Sequence, residues 1–342
     1  MIDLNLVWFF IIGVVIAFYI LLDGYDLGIG ILSLFDRADR RHLYMRSIDY
    51  TWDANQVWFI LAAGAFFAAF PAVYATVFSG LYVPLFLLLA ALIFRAVSFE
   101  FRHNAETDRW RGIWEICFGL GSLAAALLLG ISFGNVLYGM PLDANGNYMG
   151  TITELFRPYA LLIGLLTVAL FVMHGAAYLA MKTQGAMNQG AMTWTKRGGW
   201  ASLVLYVAAS VATFSVSPFL FDGLKSSPFL YLLMVLLIAA FAAVFFFAGK
   251  NSSLLTFLGT SGVLVSILGL TGLGLYPRFI PVRPDPAASL TIYNSASTPR
   301  ALTAMLIVVG ISLPVVLAYT AYIHWVFRGK VDSADRGAED GY

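Results

Sequence analysis

The sequence carries little charge and almost no cysteine. Only 11% of its 342 residues are Asp, Glu, Lys or Arg, whereas soluble domains carry about 25%, so an ordinary soluble protein is excluded. Cys117 is the only cysteine, which excludes an intrachain disulfide and argues against a cysteine-based metal site. The formal net charge is +1 and there is no basic tract, so nothing favours binding to nucleic acid.

The sequence is instead dominated by long apolar runs. Hydrophobic residues make up 60% of the sequence, and runs of about 20 apolar residues, each long enough to span a bilayer, recur from end to end. The N-terminus lacks the basic segment of a signal peptide, so the first run is expected to remain as a helix. The sequence predicts nine membrane helices, at about residues 7–32, 52–72, 77–101, 112–138, 158–181, 199–219, 228–249, 253–276 and 301–327.

The basic residues predict how these helices are oriented. With nine spans and an outside N-terminus, fifteen of the twenty Lys and Arg residues lie on the inner side, as the positive-inside rule requires. The N-terminus is therefore expected outside and the C-terminus inside. The outer loop 276–300 is rich in proline, which predicts an extended segment that serves either as a connector or as a partner-binding lid.

A single integral membrane domain is expected over residues 1–342. Within it, residues 1–138 hold helices one to four and the polar side chains described next. Residues 139–327 hold helices five to nine, which have few ionisable groups away from their ends and are interpreted as scaffold and subunit interface. Residues 328–342 are expected to form a polar cytoplasmic tail.

Two carboxylates, Asp23 and Asp26, lie inside the first apolar run, and Asp53 opens the second. An acid near the centre of a membrane helix costs roughly 2.5–3.5 kcal/mol, so such a residue usually faces a protein interior or a water path. In the predicted orientation these three acids, together with Glu100 and Glu115, gather in the inner half of the membrane. The outer half of the same helices has no acid.

Polar side chains beside these acids favour a proton relay. Asp23 and Asp26 are three residues apart and share a helix face. Trp52, Asn55 and Gln56 crowd one quadrant of the second helix, where the two amides can both donate and accept hydrogen bonds. Stations that both take and give a proton are what a relay requires.

Other interpretations of the same residues stay open. Arg95 and Arg102 could neutralise Glu100 and one aspartate as a fixed polar knot, and Asp23, Asp26 and Asn55 could coordinate a cation. His174 and His324, the only histidines within the spans, could hold a b-type haem, although a core histidine and an interfacial one are the simpler interpretation.

Gly24 and Gly28 form a small-xxx-small pair on another face of the first helix. This pattern predicts close helix packing there.

The first three helices resemble subunit II of the cytochrome bd-type quinol oxidases. The resemblance rests on three motifs in order: Leu22-Asp23-Gly24-Tyr25-Asp26-Leu27-Gly28, Trp52-Asp53-Ala54-Asn55-Gln56-Val57-Trp58 and Phe94-Arg95-Ala96-Val97-Ser98-Phe99-Glu100-Phe101-Arg102. Ala54 stands where this family usually has glycine, and Ala96 and Ser98 are similar small replacements. None of these changes removes a polar group from the motifs.

The resemblance implies an all-α fold of two four-helix bundles plus one peripheral helix in a bacterial cell membrane. It implies a partner, subunit I, that holds haems b558, b595 and d, oxidises quinol and reduces O2 to water. A small single-helix accessory subunit, and a structural quinone or lipid, are also implied. This chain itself is expected to hold no haem and no metal, and to have no haem-based active site.

The resemblance also implies a proton path through this subunit. The matching positions are Asp23 or Asp26 as the inlet, then Asp53 supported by Trp52, Asn55 and Gln56. Arg95 and Glu100 flank the route. Two alternatives remain: a purely structural subunit of the same complex, and a proton-coupled transporter, although the sequence shows neither the internal repeat usual in such carriers nor a polar cluster at the midplane.

Overall fold

The protein is a helical bundle closed at one end by short strands, seen in a computed structural model that describes residues 3–143, 146–225, 227–283 and 285–331. The helices are α1 (Leu4–Ser33), α2 (Arg41–Arg46), α3 (Trp52–Ala69), α4 (Pro71–Gly80), α5 (Tyr82–His103), α6 (Asp108–Tyr138), α7 (Pro158–Lys182), α8 (Gly185–Val216), α9 (Phe219–Lys225), α10 (Phe229–Gly249), α11 (Ser253–Leu275) and α12 (Pro299–Val326). Short 3-10 turns cover Ala38–Arg40, Ile152–Phe156 and Pro286–Ala288.

Four of the long helices begin with a recognisable local signal. Asp3 caps α1 by accepting hydrogen bonds from the backbone N–H groups of Asn5 and Leu6, and Thr107 caps α6 in the same way. Pro158 and Pro299 occupy the first position of α7 and α12, where the missing N–H costs nothing. The chain therefore starts its apolar segments where side chains or proline replace the missing helical hydrogen bonds.

Most predicted helix boundaries agree with the structure to within a few residues, with two clear differences. The segment between the second and third predicted helices is not a loop, because Pro71 starts the extra helix α4 and the third predicted helix begins later, at Tyr82. The sixth predicted helix begins much earlier than residue 199, at Gly185. Its first turns are polar, so a prediction based on apolar runs misses them.

Eight of the helices within the described ranges are long and apolar enough to cross a membrane: α1, α5, α6, α7, α8, α10, α11 and α12. The second predicted span, α3, is not among them. It has 18 residues, and Asp53, Asn55 and Gln56 in its first turns reduce its apolar character. The structure thus establishes a multi-pass helical membrane protein, while nine crossings, their orientation and the two-bundle arrangement stay predictions.

Helices α1 and α7 form the centre of the molecule. Helix α1 packs against α3, α6 and α7, and α7 packs in turn against α6, α8 and α11. Helix α12 lies against α1 and α3. Because α1 touches so many neighbours, its C-terminal part, from Asp23 to Ser33, is completely buried.

The crossing of α1 and α7 depends on two glycines, as the sequence predicted for Gly28. A Cβ atom on Gly28 would overlap the carbonyl oxygen of Phe171. A Cβ on Gly175 would lie 2.6 Å from the backbone nitrogen of Ile29. Gly24 faces the Phe171 ring, with 3.0 Å between an added Cβ and the nearest ring carbon. The two backbones touch directly, as in other small-residue membrane contacts.

The loop predicted to be extended, 276–300, contains short strands, and β4 leads back towards the start of α12. Strand β1 (Met140–Pro141) pairs in parallel with β3 (Val282–Arg283), and β2 (Arg278–Ile280) pairs antiparallel with β4 (Leu290–Thr291). Ile280 and Ile292 are fully buried in a cluster with Trp8 and Phe70. Much of the loop therefore packs against the end of the bundle where α1 begins.

The glycine crossing gives a test on a single helix. Gly28→Ala should destabilise the protein by about 1–3 kcal/mol, because the methyl group overpacks a backbone contact. Gly13→Ala on the same helix is the control, since an added Cβ at Gly13 meets nothing within 4 Å, and it should be neutral or slightly stabilising. Thermal unfolding of the detergent-solubilised variants measures both. Equal melting temperatures would refute the close crossing.

Candidate functional site

A charged cluster lies at the centre of the bundle. The guanidinium of Arg95 on α5 donates a hydrogen bond from Nη1 to Asp23 Oδ1 at 2.6 Å, and its Nη2 lies 3.8 Å from Asp26 Oδ2. All three side chains are essentially inaccessible, with Arg95 and both aspartates at 0% exposure. One cation is therefore shared by two carboxylates from the same face of α1.

Asn55 on α3 extends this cluster towards Tyr25. Its Nδ2 donates to Asp26 Oδ2 at 2.8 Å and to the Tyr25 hydroxyl at 2.7 Å. Both protons of the amide are thus used, and the side chain is fully buried. Helices α1, α3 and α5 are tied together by these polar contacts as well as by packing.

The cluster contains polar atoms that no protein group satisfies. Among them are Asp23 Oδ2, Asp26 Oδ1, Asn55 Oδ1 and two nitrogens of Arg95. The hydroxyl of Tyr19 and the indole nitrogen of Trp58, on the same two helices, α1 and α3, are also buried without a partner. Buried polar groups nearly always have a protein or water partner, so these atoms mark a site that suits internal water.

The surrounding packing seals the cluster from lipid. A Cβ on Gly121 of α6 would lie 2.9 Å from the carbonyl oxygen of Ala91 and 3.1 Å from the backbone nitrogen of Arg95. The absence of a side chain at Gly121 lets α6 approach α5 at the position of the arginine. This close packing holds the Arg95 guanidinium beside the carboxylates of Asp23 and Asp26.

The other residues of the Trp-Asp-Ala-Asn-Gln motif lie around the first turns of α3. Asn55 is buried, Trp52 and Gln56 are half-buried, and Asp53 is exposed on the surface of the chain. Trp52 stacks on Phe99 of α5, with 4.8 Å between ring centroids. Asp53 therefore does not join the cluster around Arg95.

Glu100 and Glu115, which the sequence predicted to lie with the three aspartates, are found elsewhere. Arg102 pairs with Glu115, with 3.0 Å between Nε and Oε1. Glu100 is exposed and accepts a hydrogen bond from Asn104 Nδ2 at 3.1 Å. Asp23 and Asp26 thus share one site, whereas Asp53, Glu100 and Glu115 lie outside it. Of the polar knot, the structure shows Arg95 with the aspartates, and it adds Glu115 as a partner of Arg102. The reason is that Glu115 reaches Arg102 across the short turn between α5 and α6.

The two histidines within the helices are both engaged by protein groups. His174 lies 2.8 Å from Thr260 Oγ1 through Nδ1 and 3.0 Å from the Leu21 carbonyl oxygen through Nε2. His324 lies 2.8 Å from the Thr320 carbonyl oxygen through Nδ1 and 2.9 Å from the Tyr25 hydroxyl through Nε2. Ligation of a haem iron by both would require breaking these contacts.

Coordination of a cation by Asp23, Asp26 and Asn55 is also opposed by contacts that these residues already make. Asn55 turns its amide nitrogen, a donor, towards Asp26, and Arg95 occupies the carboxylates. Over the described ranges no group of three or more acidic, histidine or cysteine side chains is placed to hold a metal ion.

Sequence reasoning missed several polar residues near the site. Tyr25 stands between the two aspartates in the motif, but its bond to His324 joins residues 299 positions apart and has no sequence signal. Asp49 lies half-buried just before α3, where burial raises the pKa of its carboxyl group above the ordinary value although His103, Arg102 and Arg46 oppose the shift. Its position in a predicted inner loop, beside basic residues, was the available signal.

The bundle and its buried charge cluster define a polytopic α-helical membrane protein with a polar site inside its bundle. The sequence matches the family profile of cytochrome bd terminal oxidase subunit II over residues 4–327. It is 30% identical to cytochrome bd-I ubiquinol oxidase subunit 2 of Escherichia coli (strain K12), over 97% of this chain and 96% of that protein. It is also 30% identical to cytochrome bd ubiquinol oxidase subunit 2 of Bacillus subtilis (strain 168), over 97% and 98%.

A solved structure has the same fold. The bd oxidase from Geobacillus thermodenitrificans aligns with a TM-score of 0.80 at 16% identity, covering 95% of this chain and 99% of that one. The chain belongs to the cytochrome bd terminal oxidase subunit II family. It is therefore one subunit of a respiratory oxidoreductase complex in a membrane.

The shared cation makes Arg95 the most sensitive residue of the cluster. Arg95→Met leaves two buried carboxylates without a counter-charge, and loss of one partner of a buried ion pair costs roughly 3–5 kcal/mol. Arg111→Met is the control, since Arg111 pairs with Asp108 at the surface and such pairs contribute roughly 0–1 kcal/mol. The measurement is thermal unfolding in detergent, and adding Asp23→Asn to Arg95→Met should restore part of the loss. Equal effects of the two arginine variants would show that the buried pair is not needed.

Proposed function

We propose that this chain is the haem-free subunit II of a bd-type quinol oxidase, and that it delivers protons from the inner side of the membrane to the oxygen-reduction site in subunit I. The observation that carries the proposal is the buried cluster of Asp23, Asp26, Asn55 and Arg95, with its unpartnered polar atoms. Reduction of O2 to water consumes protons, which must cross the apolar part of the complex. A path for them needs buried groups that can accept and release a proton.

The charge balance of the cluster fits this task. Two ionised carboxylates and one guanidinium leave one negative charge, which is costly in a buried place unless a proton is also bound. The unpartnered oxygens Asp23 Oδ2 and Asp26 Oδ1 give such a proton, or a water that carries it, a place to bind. The cluster can therefore alternate between two states that differ by one proton.

A polar band on α3 leads from this cluster towards the outside of the subunit. At about 100° per residue, Trp52 and Gln56 lie between Asn55 and Asp53 around the helix. Burial decreases along this band, from fully buried Asn55 through half-buried Trp52 and Gln56 to exposed Asp53. A carboxylate on the surface of a membrane helix needs a polar partner. Asp53 is thus suited to pass the proton to subunit I, with Glu100 nearby on α5.

The remaining parts of the proposal follow the family. Subunit I would hold haems b558, b595 and d and the quinol site, and a single-helix accessory subunit would complete the complex in the bacterial plasma membrane. Subunit I would then carry the redox chemistry, so the role of this chain's own residues is to bind, order and move protons.

A purely structural subunit is the competing interpretation, and the tight Arg95–Asp23 pair favours it. Asp26→Asn and Asp53→Asn separate the two, because an amide keeps the size and some hydrogen bonds of the acid but cannot carry a proton. On the proposed path, each should reduce oxygen consumption by roughly tenfold or more. The haem spectra of the purified complex should be unchanged.

Asp108→Asn is the matched control, since Asp108 is an exposed acid at the start of α6. Its oxygen consumption with quinol should equal that of the unmodified complex. Normal turnover in both Asp26→Asn and Asp53→Asn, with intact haem spectra, would leave the structural role and exclude proton delivery through these residues.

A further inference from the structure

A second polar connection reaches Asp26 from the end of α12, and no part of the proposed route uses it. His324 lies three residues before Phe327, the C-cap of that helix, and is half-buried. Its Nε2 is 2.9 Å from the hydroxyl of Tyr25, which is fully buried on α1. In the predicted orientation this end of α12 faces the inner aqueous phase. The histidine thus lies between that phase and the charge cluster.

The hydrogen-bond partners determine which way these groups donate. The Thr320 carbonyl oxygen can only accept, so His324 Nδ1, at 2.8 Å from it, carries a proton. In the neutral ring Nε2 is then an acceptor, and the Tyr25 hydroxyl donates to it. Asn55 Nδ2 donates to the same hydroxyl oxygen. The one lone pair of the neutral imidazole, at Nε2, therefore accepts the Tyr25 proton, and it becomes available when the Tyr25 hydroxyl turns towards another acceptor.

Tyr25 is also close to Asp26. The Tyr25 hydroxyl and Asp26 Oδ2 both lie within 2.8 Å of the same atom, Asn55 Nδ2. One water molecule can bridge two oxygens held in this way. Asp26 Oδ1 and Asn55 Oδ1, which have no protein partner, offer it acceptors. A single bridging water, of the kind that buried polar sites commonly hold, would complete the connection from His324 to Asp26.

Packing contacts keep Tyr25 and His324 next to each other. The Tyr25 ring stacks on Tyr178 of α7 with 3.8 Å between centroids and 6° between planes. Lys182, at the end of α7, donates hydrogen bonds to the carbonyl oxygens of Phe327 and Gly329, and the backbone N–H of Val331 donates to the Lys182 carbonyl. The end of α12 is therefore fastened to α7, the helix on which Tyr25 rests.

We propose that His324 is a proton-loading residue at the inner end of α12, which supplies Asp26 through the hydroxyl of Tyr25. This inference rests on the proposed proton delivery and adds an inlet to it. When the Tyr25 hydroxyl turns its proton from Nε2 towards the bridging water, His324 takes a proton from the inner aqueous phase on Nε2 and becomes an imidazolium. Nε2 then gives that proton to the Tyr25 oxygen, while the original Tyr25 proton passes through the bridging water to the Asp26 carboxylate. His324 and Tyr25 return to their neutral forms, and Asp26 has gained one proton.

Three variants of the intact complex test this inlet. His324→Ala removes the imidazole, and Tyr25→Phe removes only the hydroxyl while keeping the ring that stacks on Tyr178. His103→Gln is the control, because His103 is an exposed histidine at the end of α5. Oxygen consumption with quinol is measured against pH, with and without added imidazole, and haem spectra verify assembly.

His324→Ala and Tyr25→Phe should each lower turnover several-fold, most strongly at high pH, where protons are scarce. Added imidazole should restore His324→Ala but not Tyr25→Phe, since a free base replaces the loading group only while the hydroxyl remains. His103→Gln should behave like the unmodified complex.

The outcomes separate the inlet from the wider proposal. Unchanged turnover in His324→Ala, or a loss that imidazole does not restore, would overturn the inlet. If Asp26→Asn still lowers turnover in that case, proton delivery through the cluster stands and uses another inlet. If neither Asp26→Asn nor Asp53→Asn lowers turnover, the proposed function itself fails.

Discussion

Arg95 is shared by Asp23 and Asp26 at a place that is inaccessible from the surface of the chain, and much of the architecture follows from this arrangement. The three groups lie on α1 and α5, so these helices must keep a fixed distance and rotation. Separation of the charges would leave each one alone in an apolar medium, where it is far more costly. Asn55 adds α3 to the same unit. The interaction therefore fixes the relative positions of three helices of the bundle at once.

Close helix packing makes such a cluster possible. At Gly28 and Gly175 the backbones of α1 and α7 touch, and at Gly121 helix α6 closes over Arg95. Bulkier residues would hold these helices apart and admit lipid or bulk water to the charges. The same glycines also bring Tyr178 of α7 onto Tyr25. The small residues and the buried charges therefore depend on each other, because the close packing at the glycines creates the low-dielectric surroundings of the charges.

The sequence predicted some of these features better than others. Apolar length and proline positions located the long helices, and the acids in the first motif identified Asp23 and Asp26, because a buried charge is rare enough to be informative. Helix α4 and the first turns of α8 escaped prediction since they do not continue an apolar membrane-length run. The pairing of Arg102 with Glu115 depends on how α5 and α6 meet. The bond between Tyr25 and His324 depends on where α12 packs, and neither fact is encoded locally.

Helix α3 has a consequence for how the protein is made. It is the helix whose first turn holds Asp53, Asn55 and Gln56, and it is less apolar than the eight that qualify as spans. A segment of this kind partitions poorly into lipid by itself during synthesis. Its stable placement requires α1, whose Tyr25 and Asp26 accept hydrogen bonds from Asn55, and α5, whose Phe99 stacks on Trp52. Placement of this helix is thereby linked to folding of the bundle around it, because the same contacts that complete the charge cluster also hold its least apolar helix.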